Sequence, residues 1–261
     1  MLTFGITARY LCLDGQMVDT STEAPANLSP RARARVQTMR DIVRIGREHL
    51  ATEGAAALSL RAVARDLGLV SSAVYRYVAS RDELLTLLVV DGYDELGDAV
   101  DAALAGVDRS DHAGRMAAIG RAVRAWGLAD PATYALLFGS PVPGYEAPAE
   151  QTTGPGTRVV VRLVEVWEDA WQAGAVTVHD GAVSPRRLSR DLARIRRQMG
   201  ITAPDELIAR GLFAWAALFG CVTWEVFGQY GSATFADPAD LFERHLAALV
   251  ETVGLTHRHR R

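Results

Sequence analysis

A chain of 261 residues with 49% apolar side chains can bury a sizeable core, which excludes a protein disordered throughout. Its net charge of −3 is unevenly placed: residues 28–90 hold ten arginines against six acidic residues, and residues 91–261 hold seventeen against twenty-two. The two cysteines, Cys12 and Cys221, lie far apart, which excludes a disulfide framework or a cysteine zinc set and suits a reducing cytoplasm.

A small basic segment beside an acidic remainder is the footprint of a protein that brings one part to phosphates and keeps the rest away. Lysine is absent, which we read as a coding bias without functional meaning. Met1–Tyr10 has no basic region ahead of its apolar residues, and no later stretch reaches the ~18 uninterrupted apolar residues of a membrane span. The expectation is a soluble cytoplasmic protein with no membrane partner.

In chain order, residues 1–28 lack apolar periodicity and are predicted to be a flexible extension, with Met17 an alternative start to Met1. Ser29-Pro30 then offers a cap and a proline at the first helical position. Val36, Met39, Val43, Gly46 and Leu50 make one apolar stripe, so a helix is predicted over 30–53, stopped by Gly54. Ser59 opens a short helix to Leu67, Gly68 breaks it, and Ser71 or Ser72 opens another through Val78. Ser80-Arg81-Asp82-Glu83 is a capping box for a long helix to about Leu104.

Met116, Ile119, Val123 and Trp126 mark the next helix, Asp130-Pro131 caps another, and Val159–Trp171 carries a broad apolar face. Pro204-Asp205-Glu206 opens a strongly apolar helix, and Asp237-Pro238 opens the last. Two stretches are predicted to be loose, residues 139–156 and 178–203, with the arginine-rich segment Arg186–Arg197 of the second able to form an extra helix. No segment alternates with period two. The fold class is therefore all-α with about nine helices: a helix-turn-helix head over 29–80, a helical body over 81–254 and a basic tail over 255–261.

The segment Leu60–Tyr77, LRAVARDLGLVSSAVYRY, has helix-turn-helix spacing. Ala64 must be small where the second helix crosses it, and Gly68 takes the φ > 0 turn that a side chain resists. Val63, Leu67, Leu69 and Val74 are predicted to form the small core that joins the pair to the first helix. Ser71, Ser72, Tyr75, Arg76 and Tyr77 remain for solvent or a major groove.

Together with Glu53-Gly54, Leu58-Ser59-Leu60 and Ser80-Arg81-Asp82-Glu83-Leu84-Leu85, this segment resembles the DNA-binding head of the TetR family over about residues 36–90. The resemblance implies that Ser59 and Arg61 lie near the phosphate backbone and that Ser71, Ser72 and Ala73 face base edges. It also implies that Tyr75 and Tyr77 touch phosphate or bases, and that Arg81 holds phosphate. The segment departs from the family pattern at Val70, where a Ser or Thr cap is usual, at Tyr77, where His is common, and at Arg81, where Lys is usual. Residues 131–148, with Trp215, Phe219-Gly220, Trp224-Glu225 and Phe227-Gly228, are similar to the WHG-type branch of the family. That likeness implies a homodimer through about 204–229 and 238–253, and a body pocket for an unidentified small-molecule effector. Helix 204–229 is apolar nearly all round, which one chain cannot cover, so Gly211 and Gly220 are expected to allow close approach of a partner helix and Trp224 and Phe242 to supply buried area. The aromatics Tyr93, Trp126, Tyr134, Phe138, Trp167 and Trp171 stand at helical spacing, as core and as candidate pocket lining.

No catalytic constellation, cofactor site or metal site is predicted. Gly139-Ser140-Pro141 is not a nucleophile elbow, and there is neither a P-loop nor a dinucleotide fingerprint. His257 and His259 read as part of a solvated tail, and Glu225 and His245 as polar interface contacts. The expected function is a DNA-binding regulator, a repressor released from its operator by the effector. The alternative is a helical small-molecule-binding protein or enzyme that binds no operator.

Overall fold

The computed structural model describes residues 10–13, 16–19, 29–177 and 185–255. Within the expected extension, Tyr10–Leu13 and Gln16–Asp19 pair as antiparallel strands, Tyr10 opposite Asp19 and Leu13 opposite Gln16. The sequence reading did not foresee this ribbon, because neither four-residue strand alternates apolar with polar residues. The rest of the extension, the tail beyond Leu255 and its two histidines lie outside the described residues. Apart from the ribbon and one Val176–Leu255 bridge, all regular structure among the described residues is helical.

The helices are α1 (Pro30–Glu53), α2 (Leu60–Asp66), α3 (Ser71–Val74), α4 (Arg81–Ala105), α5 (His112–Ala129), α6 (Pro131–Phe138), α7 (Ala149–Gln172), α8 (Arg186–Met199), α9 (Asp205–Val226) and α10 (Pro238–Thr252), with a 3₁₀ turn at Ala55–Ala57. These are ten among the described residues, and the tenth is the arginine-rich segment, α8. Side-chain caps set several of the starts. Ser29 accepts from the Ala32 N–H at 3.2 Å, Asp130 from Thr133 at 2.9 Å and Asp237 from Ala239 at 2.8 Å, each followed by proline. Ser80 Oγ accepts from Glu83 N–H at 3.1 Å, but the Glu83 carboxylate returns to Ala79 N–H at 2.6 Å instead of to Ser80.

One boundary departs from expectation. α7 begins at Ala149, inside the stretch predicted to be loose, and runs through Pro155 and Gly156. A proline there removes a single backbone bond. Gly156 serves packing, since a Cβ at that position would sit 3.1 Å from the Tyr93 ring.

The contacts divide the chain into Met1–Glu95 with Asp130–Gly156, and Leu96–Ala129 with Thr157–Arg261. In the first unit, Ile42 and Ile45 of α1 pack with Val63 of α2, Val74 of α3 and Leu84, Leu85 and Leu88 of α4, all buried. His49, buried on α1, is joined at 2.6 Å through Nε2 to Asp66 at the end of α2. The Arg65 guanidinium, and after it the His49 ring, hold the Asp66 carboxyl below its usual range. Arg47 gathers three carboxylates from two other helix regions: Asp91 at 3.0 Å, Asp130 at 2.8 Å and Glu95 at 2.6 Å. Burial pushes the Asp91 carboxyl up in spite of Arg47.

In the second unit α9 packs against α5, α8 and α10. Two bidentate pairs fix the register: Arg124 with Glu225 at 2.7 and 2.5 Å, and Arg121 with Glu243 at 2.7 Å through both nitrogens. Glu225 is thus committed within its own chain, where an interface contact had been expected. α9 is long and apolar enough, by length and composition, to cross a membrane, yet it carries Asp205, Glu206, Arg210 and Glu225 and packs on three neighbours.

Candidate nucleic-acid interface

The first unit builds a helix-turn-helix from α2 and α3. Gly68 has φ +67°, its N–H donates to Arg65 O at 3.0 Å, and Leu69 N–H donates to Ala64 O at 2.9 Å. A Cβ on Gly68 would meet nothing, so the requirement there is the left-handed backbone and not space. Ala64, Val63 and Val74 are buried as predicted, while Leu69, expected in that core, is 38% exposed.

α3 is shorter than predicted. Its helical hydrogen bonding covers Ser71–Val74, and turns carry the chain through Tyr75–Tyr77 to Val78. Val70 occupies the N-cap without an oxygen to offer the first turn, and two serines and two valines in the following residues add little helix propensity. Ser72, Tyr75 and Arg76 are exposed, whereas Ser71, Ala73 and Tyr77 are half-buried.

Ser59, Arg61, Tyr75 and Arg81 line one open depression of about 300 Å³, floored by Leu58 and Leu60. Four of the residues expected near DNA therefore share one surface. Arg61 and Arg76 are exposed and have no ion-pair partner among the described residues. Arg81 is held from behind, its Nη2 donating to the carbonyls of Ala55 at 2.8 Å and Ala56 at 3.3 Å. That bond ties the 3₁₀ turn after α1 to the start of α4 and sets the arginine's direction. Arg35, which the sequence reading missed, lies with its guanidinium carbon 5.2 Å over the Tyr77 ring. The run Pro30-Arg-Ala-Arg-Ala-Arg35 was the available signal, since it holds three arginines and no acid.

The candidate pocket residues fall in both units. In the first, Tyr134 is fully buried, its ring centroid 5.1 Å from that of Phe138, which lies 6.0 Å from Tyr93 edge-on. Burial raises the Tyr93 hydroxyl above its usual range. In the second, Trp126 is buried, and Trp167 and Trp171 are half-buried. The Trp167 indole N–H is itself buried and has no acceptor among the described residues. Its benzo edge lies where a Cβ at Gly211 would stand, 1.3 Å away, so any side chain at 211 would have to displace the ring. Gly211 had been expected to admit a partner helix; it admits Trp167 of its own chain. Phe242, expected to add area at an interface, is buried at 3% exposure under Arg124.

Among the described residues, no three His, Cys, Asp or Glu side chains are placed to hold a metal ion. Residues 116–249 match the family model described as "Tetracyclin repressor-like, C-terminal domain". The chain is 45% identical over 224 residues to the HTH-type transcriptional regulator Rv1816 of Mycobacterium tuberculosis, covering 86% of this chain and 95% of that protein. It is similar to the solved regulatory protein SCO4313, with a TM-score of 0.67 and 37% identity over 85% of this chain and all of that one. A TetR-family regulator from Rhodococcus RHA1 shares the fold, with a TM-score of 0.56 and 18% identity over 84% of this chain and 98% of that one.

Proposed function

The chain belongs to the TetR family of transcriptional regulators, DNA-binding proteins that act as dimers, and on that premise we propose that it is a cytoplasmic, non-enzymatic repressor released from its operator by a small molecule. The convergence of Ser59, Arg61, Tyr75 and Arg81 on one exposed surface of the helix-turn-helix carries this reading. Residues 29–80 form the operator-binding head in this proposal, and residues 81–254 the effector-binding and dimerising body. Arg61, Arg76 and Arg81 neutralise phosphates, assisted by Ser59 and Tyr77. Ser71, Ser72, Ala73 and Tyr75 approach base edges. Ser72→Ala or Tyr75→Phe is expected to change the ranking of operator variants, and Arg81→Ala to weaken binding to all of them alike. Titrating a panel of half-site variants by fluorescence anisotropy checks this, and an unchanged ranking for both Ser72→Ala and Tyr75→Phe would remove the base-reading role.

Dimerisation is assigned to α9 and α10, over about 204–229 and 238–253. On α9, Phe213 at 59% exposure and Trp224 at 51% join Leu212, Gly220 and Phe227 in an uncovered apolar face. A Cβ at Gly220 would meet nothing within 4 Å, which leaves room there for a second backbone. Phe213→Glu is expected to halve the mass seen by light scattering at micromolar concentration, from twice 28.2 kDa to 28.2 kDa. A wild-type monomer, or an unaltered dimer in the variant, would contradict the assignment.

The effector site is drawn, within the second unit, from Trp126, Trp167 and Trp171, while Tyr93, Tyr134 and Phe138 serve as an aromatic core of the first unit. The orphaned Trp167 N–H supports an effector that brings an acceptor oxygen on an apolar body. Operator and effector then oppose each other by one coupling free energy, typically ~1–3 kcal/mol. Once tryptophan fluorescence has identified a ligand, equal affinities with and without saturating operator would rule out the switch.

A further inference from the structure

The second unit pairs its arginines, except along one helix. Among its described residues, every arginine outside α8 other than Arg244 meets a carboxylate within 4.0 Å. α8 holds six arginines and a single acid, Asp191. Arg196 is bound to Asp205 and to the Ala203 carbonyl, and Arg194 to Asp191. Arg186, Arg187, Arg190 and Arg197 are exposed and have no ion-pair partner among the described residues. At about 100° per residue, Arg186, Arg190 and Arg197 fall within roughly 40° of one another, in a stripe about 16 Å long with Arg187 at its flank.

The opposite side of the helix is largely used, with Leu188 at its start left exposed. Leu192 is buried, and Ile195 and Met199 are half-buried, as α8 packs on α9. An amphipathic helix that enters a bilayer needs that apolar side free, so what α8 leaves outward is positive charge on a firmly seated helix. Unpaired, exposed arginines also mark the helix-turn-helix, at Arg61 and Arg76. A duplex presents one negative charge per ~1.7 Å of its axis, a density that such a stripe matches without reading sequence.

We propose that α8 is a second, sequence-independent contact surface for duplex DNA, resting on the reading of this chain as a duplex binder. The test uses the full-length protein with its head disarmed by R61Q/R76Q and a labelled 30-base-pair duplex without operator sequence, titrated by anisotropy between 50 and 200 mM salt. Residual, salt-sensitive binding is expected, and adding R186Q/R187Q/R190Q/R197Q weakens it by about a hundredfold or more, with a loss of roughly 2 to 4 from the log–log slope. Arginine-to-lysine exchange at the same four sites retains it, and circular dichroism checks that each variant is folded. Equal binding by the disarmed protein with and without the α8 arginines, or no binding by either, overturns the proposal. So does α8-dependent capture by anionic phosphatidylserine vesicles with no α8 dependence on duplex. Operator recognition, read separately with an intact head and the α8 variant, reports on the helix-turn-helix alone, so the failure of one reading is distinguishable from that of the other.

Discussion

Replacing both Arg61 and Arg76 by glutamine is expected to cut operator affinity about a thousandfold at 0.15 M salt. Each phosphate contact contributes a slope of about 0.9 to the dependence of log affinity on log salt, or roughly 0.7 of a decade at that concentration. A dimer loses four such contacts. Both side chains are exposed and have no ion pair among the described residues, so their removal breaks no bridge that holds the fold. Thermal stability should therefore stay within about 0.5 kcal/mol of the parent. Anisotropy titrations at several salt concentrations give affinity and slope together. An unchanged slope would show that these arginines do not face the duplex.

Gly211→Ala is expected to destabilise the second unit by ~3 kcal/mol or more, because the new methyl would overlap the Trp167 ring, 1.3 Å from its nearest carbon. That corresponds to a fall in Tm of roughly 6–12 °C for a unit of this size. The overlap is with a large rigid ring, so the ring cannot simply swing aside as a flexible chain would. Trp167→Ala alone also destabilises, by ~3–5 kcal/mol through the cavity it leaves. The double substitution should lose less than the two single losses together, since without the ring the methyl meets no obstacle. Simple additivity in thermal unfolding would mean that the two residues do not touch.

Much of the fold was legible because its signals are local. Ser29-Pro30, Asp130-Pro131 and Asp237-Pro238 each place a capping oxygen before a proline, and each opens a helix at that proline. Ala64 and Gly68 likewise announced the turn between α2 and α3. What was not legible depended on partners distant in sequence. Gly154, Pro155 and Gly156 read as a loop, yet helix α7 passes through them where the Tyr93 ring presses on Gly156. Gly211 read as a place for a partner helix, and Glu225 as a polar interface contact; Trp167 and Arg124 of the same chain claim them. In the helix-turn-helix, Arg76 could be named from spacing, and Arg61 from the family resemblance. The bracing of Arg81 by the Ala55 and Ala56 carbonyls, and the stacking of Arg35 on Tyr77, join residues at least 25 positions apart, and no local pattern announces them.

Selection from a pool of random duplexes by the purified full-length protein tests the central claim most directly, because it presumes no operator. The account predicts enrichment of a palindromic site, its two halves set by a dimer that places one recognition helix in each of two major grooves, half-sites about one helical turn or a multiple of it apart. It further predicts that the R61Q/R76Q protein enriches nothing from the same pool. Sequencing that returns no common site from the wild-type protein, or the same site from the double variant, would contradict it.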